Sequence, residues 1–236
     1  MLSTLLSVNL GRAAASAGTE APDGLTGIDK RPAAGPVAVS APGPKGTGGS
    51  GLAGDTICHL RHHGGDDQAV YAYAREDLDR WEAALGRKLT NGVFGENLTT
   101  SGIDVNGARI GERWRIGPDL VIEATSARTP CRTFATWLDE RGWIKRFTRE
   151  AAPGAYFRVI RPGVIRAGDP IEIVHRPDHE VSVAFLFRAE TTEPELRPRV
   201  LAAGEALHPQ ALRKARGWAT EAAGTPGSDG ADEVRR

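Results

Sequence analysis

Apolar and polar positions alternate in short runs along most of the chain, and Gly, Pro, Asn or Asp separates the runs. Leu2–Leu10 is short and apolar and is closed by Asn9 and Gly11, which predicts a first strand. Pro36–Ser40 (PVAVS) alternates as a second, and Ala69–Tyr73 reads as a strand or the start of a helix. Closely spaced candidates follow at Leu98–Thr100, Ala108–Ile110, Glu112–Ile116 and Asp119–Thr125, then at Tyr156–Ile160, Val164–Arg166 and Ile171–Val174. Short strands with turn residues between them are the punctuation of a barrel or sandwich. A helical period is rarer. Over Arg75–Leu85, Leu78, Trp81 and Leu85 share one face, which predicts a helix with a core-facing Trp81, ended by Gly86. Thr133–Leu138 and Trp143–Arg149 predict two short helices broken by Gly142. Beyond Val183 the pattern becomes helical, at Ala184–Ala189, Glu193–Ala203 and Pro209–Ala219, with a cap-like Thr192 and a break at Gly204. Thr220–Arg236 is rich in Gly, Ala and charge and is expected to be disordered.

Composition narrows the class. A chain of 236 residues supports one large domain or one domain with a small appendage. Thirty Lys and Arg balance thirty Asp and Glu, so no strong attraction to nucleic acid or a membrane surface is expected. Two cysteines cannot build a disulfide framework and are consistent with a reducing cytoplasm. No apolar run reaches the roughly 18–20 residues of a membrane span. Met1–Leu10 followed by Ala13–Ala15 loosely imitates a signal peptide but lacks a basic start, so it is read as a strand. Ala13–Asp29 and Ala41–Gly54, rich in small residues and in Gly and Pro, are read as loops.

Candidate chemistry concentrates in four stretches. Ser126–Phe134 (SARTPCRTF) joins a strand to a helix and has Cys131 at its centre. Arg128 and Arg132 flank that thiol, and neighbouring positive charge favours thiolate, the form that attacks electrophiles and binds soft metals. The bland alternative is a small buried apolar cysteine. Lys30-Arg31-Pro32 sets two cations before a rigid residue, suited to a phosphate or carboxylate, or simply to a solvated surface. Asp55–Asp67 gathers Cys58, His59, His62 and His63; zinc is a candidate, but the spacing matches no standard ligand pattern. In the same stretch His63-Gly64-Gly65 allows close backbone approach, and its amides can cradle an anion. Phe94–Leu98 places Gly95, Glu96 and Asn97 on a sharp turn, where a carboxylate and an amide can meet the donor edge of a heterocycle or bond their own turn.

Taken together, these stretches resemble the MOSC family, the molybdenum-cofactor sulfurase C-terminal domain family, in its stand-alone branch. Ser7–Gly11 with Gly27–Pro32 resembles the family's opening. Gly51–Asp55, His63–Gly65 and Ala69–Tyr71 resemble its GD…HGG…AVY signature, and Phe94–Leu98 its FGENL block. Thr129-Pro130-Cys131 is similar to its R-x-[ST]-P-C block, with Arg128 displaced by one position. The likeness covers Leu2–Val183; each block is weak alone, and their order and spacing make them strong together.

The resemblance implies a mainly β (α+β) fold, a MOSC-type β-barrel with a few short helices. It implies a barrel domain over residues 1–182, a short helical segment over 183–219 and a tail over 220–236. It implies that the molybdenum cofactor, a molybdopterin dithiolene, is bound with Cys131 ligating molybdenum. Lys30, Arg31, His63, Gly64, Gly65, Gly95, Glu96, Asn97, Arg128 and Thr129 match blocks expected near the pterin and its phosphate. The family also carries an association with pyridoxal phosphate. The implied activity is reductive N–O cleavage of small N-hydroxylated compounds such as N-hydroxylated purines, in the cytoplasm. Electrons would come from a separate flavin or iron–sulfur protein, since the chain has no binding motif for either. Non-catalytic carriage of cofactor or sulfur through Cys131 is the alternative, and a cysteine hydrolase with His63 as base ranks last. The chain departs from the family at Ile57, Cys58 and His59, where Gln and Asp are usual, and its helical tail is shorter and richer in Pro.

Overall fold

A computed structural model describes residues 3–19 and 21–223. In chain order the strands and helices are β1 (Thr4–Gly11), β2 (Ala14–Ala15), β3 (Leu25–Thr26), β4 (Lys30–Pro32), β5 (Val37–Val39), β6 (Val70–Ala74), α1 (Arg75–Leu85), β7 (Leu98–Ser101), β8 (Arg113–Ile116), β9 (Leu120–Ala127), α2 (Arg132–Leu138), α3 (Trp143–Glu150), β10 (Ala155–Arg161), β11 (Gly163–Ile165), β12 (Ile171–His175), α4 (Val183–Thr191) and α5 (Pro209–Ala223). Eight of the strands form one mixed sheet in the order β12-β8-β9-β10-β6-β7-β1-β4. β5 pairs with β11, and β2 pairs with β3 inside the predicted loop at Ala13–Asp29.

The expected barrel takes the form of this curled mixed sheet, and no strand ladder closes it among the described residues. Its two sides meet at an isolated bridge between Thr4 and Pro170. Leu5 N–H donates to the Asp169 carbonyl at 2.9 Å and Ile171 N–H to the Ser3 carbonyl at 2.9 Å. Ala108–Ile110, expected as a strand, bridges only Ser182 through Arg109.

β6 is buried along its whole length, and α1 follows it directly and returns the chain to β7, which lies parallel to β6. Leu78 and Trp81 are the buried apolar residues of α1, as its period predicts, and Gly86 caps it in the left-handed region at φ 67°. Trp81 joins Trp143 at 4.6 Å between ring centroids, and Phe134 packs on Phe94 at 5.1 Å and on Trp143 at 5.3 Å. This aromatic cluster clamps α1, α2, α3 and the Phe94 turn together.

After β12 the chain is helical, but Pro194–Ala206 coils as a 3-10 helix instead of the predicted α-helix. Pro198 lies inside it and lacks the N–H that an α-helical bond needs. α5 continues through Ala223, four residues into the segment expected to be disordered, and residues 224–236 lie outside the described residues.

These helices dock on the sheet through His208. Its N–H donates to the Thr125 carbonyl at 2.9 Å, and its Nδ1 accepts from Gln210 N–H at 3.1 Å, opening α5. Burial, reinforced by Lys45, Arg158 and Arg213 and opposed by Asp67, pushes the His208 pKa down from 6.5 to about 4. The stability this neutral imidazole contributes is therefore complete above pH 6.5 and is lost as pH falls toward about 4. That loss is on the order of 3 kcal/mol for a shift of this size. His208→Gln is expected to flatten the acid side of the stability curve, read as urea midpoints against pH; an unchanged slope would remove His208 as its source.

Candidate functional site

One cleft, enclosing about 760 Å³ with its mouth included, is lined by Tyr71 of β6, Tyr156 of β10, Lys30 of β4, the β3 strand and residues of the segments 56–68, 95–97 and 128–133. The sheet positions its walls. β9 ends at Ala127, and the four residues Arg128–Cys131 carry the chain to α2, whose first turn begins just after Cys131. Cys131 is half-buried and lines the cleft. Arg128 is buried; its guanidinium lies 3.8 Å from the Phe134 ring centroid and 5.1 Å from that of Tyr71, and Nη1 donates to the Phe94 carbonyl. Trp137 Nε1 donates to the Val93 carbonyl at 2.8 Å, so α2 and the Phe94 turn hold each other.

Asp55 organises the opposite wall. Its side chain is fully buried, forms an ion pair with Lys30 Nζ, accepts Gly11 N–H at 2.7 Å and accepts Asn97 Nδ2 at 2.9 Å. Burial lowers the Lys30 pKa, and Asp55 opposes that shift. Asn97 is spent on positioning: its Oδ1 takes Tyr71 N–H at 3.2 Å, and its Nδ2 also reaches the Asn9 carbonyl at 3.3 Å.

The structure gathers seven of the expected site residues around the cleft: Lys30, His63, Gly64, Gly95, Asn97, Arg128 and Cys131. It sets Arg31, Gly65, Glu96 and Thr129 outside the lining. Arg31 is exposed and pairs with Asp29 at 2.7 Å. Glu96 is fully buried, and a carboxylate without water needs donors close by. It takes Gly92 N–H, Phe94 N–H at 3.0 Å and the Thr99 hydroxyl at 2.9 Å, so it bonds its own turn and no heterocycle edge. Desolvation raises its pKa against these donors. The two glycines after His63 serve backbone packing. A Cβ on Gly64 would stand 2.6 Å from the Gly49 carbonyl oxygen and one on Gly65 2.7 Å from Lys45 Cα, both at positive φ. Gly65 N–H already donates to Gly49 at 3.0 Å.

His63 stands exposed at the mouth. Desolvation on its packed side, with Arg128 and Lys45 nearby, holds the imidazole below its ordinary pKa and neutral. His59 and His62 meet edge to face at 4.5 Å, and no group of three or more His, Cys, Asp or Glu able to hold a metal ion exists among the described residues, so the zinc pattern is not built. The three positions where the chain departs from the family blocks, Ile57, Cys58 and His59, all line the cleft. Burial raises the Cys58 pKa, with Asp23 adding to the shift.

Sequence reasoning missed Tyr71 and Tyr156, whose rings lie 5.0 Å apart on the sheet wall. Tyr71 sits in the AVY block and could have been found there; Tyr156 carries no local signal, because alternation along β10 does not say which of its faces meets a cleft. The β2–β3 hairpin completes the roof with Leu25 and Thr26, and Thr133 Oγ1 donates to the Gly18 carbonyl at 3.3 Å. Among the described residues no Asp or Glu lines the cleft, and Lys30 and Arg128 are its basic lining residues beside the histidines. The arrangement suits an anionic ligand with a flat body, held within reach of a thiol.

Removing Asp55 strands the Lys30 ammonium in a dry wall. Asp55→Ala is expected to destabilise the fold by roughly 3–5 kcal/mol. Asp55→Ala combined with Lys30→Met should recover part of that loss in denaturant midpoints. A midpoint unchanged by Asp55→Ala would show that the pair does not hold this wall.

Comparisons with known proteins bear on the family and the fold. A family model described as the MOSC domain matches residues 59–172. The uncharacterised protein YflK of Bacillus subtilis is 32% identical over 163 residues, 69% of this chain and 70% of that protein. A protein named reductase from Gibberella moniliformis is 29% identical over 149 residues, but the match spans 26% of its length. The crystal structure of YiiM from Geobacillus stearothermophilus superposes with a TM-score of 0.71 at 26% identity, covering 92% of this chain and 98% of that one. No helix among the described residues is long and apolar enough to cross a membrane. On the shared sheet, the shared blocks and these matches, the chain belongs to the MOSC domain family.

Proposed function

We propose that this chain binds the molybdenum cofactor in the cleft and reduces N-hydroxylated compounds there, N-hydroxylated purine bases among them. The observation that carries the reading is the Cys131 thiol, set in a cleft that Lys30 and Arg128 also line and that no carboxylate shares among the described residues. The residues fit the group. A soft thiolate suits a thiophilic metal, and two fixed cations suit a phosphate. The Tyr71 and Tyr156 rings offer flat walls for a pterin or a base. When bound, the cofactor supplies the two-electron chemistry of N–O cleavage.

The chain's own residues bind, orient and shield. Cys131 would hold the metal. Arg128 and Lys30 would hold the phosphate, and His63, Gly64 and Gly95 line the same cleft. Asn97 fixes Asp55 and Tyr71, and Glu96 and Gly65 keep the wall rigid from behind. Arg31 and Thr129 stand outside the contact. The β2–β3 hairpin limits water. Electrons arrive from a separate flavin or iron–sulfur protein. The relative named reductase supports the reaction class, and the chain spans about a quarter of that protein.

The test is metal and pterin analysis of protein made in a host that synthesises the cofactor, beside Cys131→Ala. About one molybdenum per chain is expected in the wild type, as ligation by a single cysteine requires, with loss of most of it in the variant. Loaded wild type should then reduce an N-hydroxylated purine with a reduced flavoprotein. Loading without turnover would favour a carrier. Absence of molybdenum from both proteins, in a host that loads a control molybdoenzyme, would sink the reading.

A further inference from the structure

We propose that Tyr156 delivers the proton to the leaving hydroxyl in this reduction, from a cluster in which its phenol, the Cys131 thiol and the Arg128 guanidinium face the same cleft. The inference rests on the function proposed above. Reduction of R–NH–OH consumes two electrons and two protons and gives R–NH₂ and water. The N–O bond breaks, nitrogen is reduced, and one proton must reach the departing oxygen so that it leaves as water and not as hydroxide. The electrons come from the reduced flavoprotein or iron–sulfur donor. A positioned side chain speeds such a proton transfer, and tyrosine is among those that do so.

The local fold aims this residue. β10 pairs with β9 through Tyr156↔Ser126 and then Phe157↔Ala124, so Thr125 is an extra residue on β9. The bulge lies on β9, and along β10 successive side chains point to opposite faces. Here Phe157 is fully buried and packs on Trp114 at 4.7 Å, while Tyr156 lines the cleft.

Its competitors are engaged elsewhere. The Tyr71 hydroxyl donates to the Pro153 carbonyl at 2.8 Å. The Lys30 ammonium is paired with Asp55. His63 is held neutral at the mouth, and the Cys58 thiol answers electrostatically to Asp23 and Lys30 on the far wall. Among the described residues the Tyr156 hydroxyl has no hydrogen-bond partner, which leaves it free for a ligand. The groups that act on it electrostatically are Arg128, Cys131 and Tyr71. Burial raises its pKa and so keeps the phenol protonated, while Arg128 stabilises the phenolate left after transfer.

Tyr156→Phe removes one oxygen and keeps the ring against Tyr71. Four quantities are read side by side: molybdenum per chain, KM and kcat for an N-hydroxylated purine, and a near-ultraviolet phenolate titration of the cofactor-free proteins. The chain has three tyrosines, so the wild-type-minus-variant titration isolates one phenol. The expected result is unchanged molybdenum and KM, kcat lower by roughly 100-fold or more, and a missing phenol that titrates above the ordinary tyrosine value. A variant kcat within about twofold of wild type overturns the inference while the proposed function stands. Loss of molybdenum in the variant also overturns it, because Tyr156 would then serve cofactor binding. Wild type without molybdenum or turnover overturns the proposed function, and the inference with it.

Discussion

The cleft depends on one buried carboxylate. The Asp55 side chain has no exposure, and its two oxygens hold a lysine ammonium, a backbone amide of β1 and the amide of Asn97. A charge removed from water is tolerated only when its partners are all in place. The three partners come from different parts of the chain, so satisfying one carboxylate fixes β1, the start of β4 and the entry to β7 relative to each other. The wall that carries Lys30 and Asn97 is therefore a consequence of electrostatic necessity, and its rigidity serves any ligand that sits against it.

The opposite wall is held by apolar contact. Phe94, Phe134, Trp143, Phe147 and Trp81 pack in one aromatic cluster, which anchors α2 and so fixes the residue before its first turn, Cys131. Arg128 couples the two systems, since its guanidinium covers the Phe134 ring and bonds the Phe94 carbonyl while its charge faces the cleft. A cation at this place stays charged because aromatic faces and a carbonyl replace the water it has lost. Thiol, cation and phenol are thus presented by elements that pack on the core, with the small β2–β3 hairpin as the roof.

Much of this was legible in the sequence. The period of Arg75–Leu85 predicted α1 with Trp81 in the core, and the alternating runs predicted most of the sheet, because burial on one face writes a period into the chain. The blocks around Lys30, His63, Gly95, Asn97 and Cys131 pointed to one site, and those five residues do line one cleft. Prediction faltered where neighbours distant in sequence decide. Pro194–Ala206 has a helical composition, but its proline positions tighten it to a 3-10 coil.

The sequence by itself determined which residue types were available for chemistry, the family, and the local elements that present them. Only the tertiary structure decided which of them face the cleft. Glu96 and Asn97 are adjacent, yet one bonds the amides of its own turn and the other joins the wall through Asp55, a partner far away in sequence. Gly64 lines the cleft and Gly65 packs on Lys45. Tyr156 enters it while its neighbour Phe157 enters the core, because successive side chains of β10 point to opposite faces. Period and composition are local properties of a chain, whereas a side chain's exposure to a cavity depends on strand register and on partners far away in sequence, and those exist only once the sheet has formed.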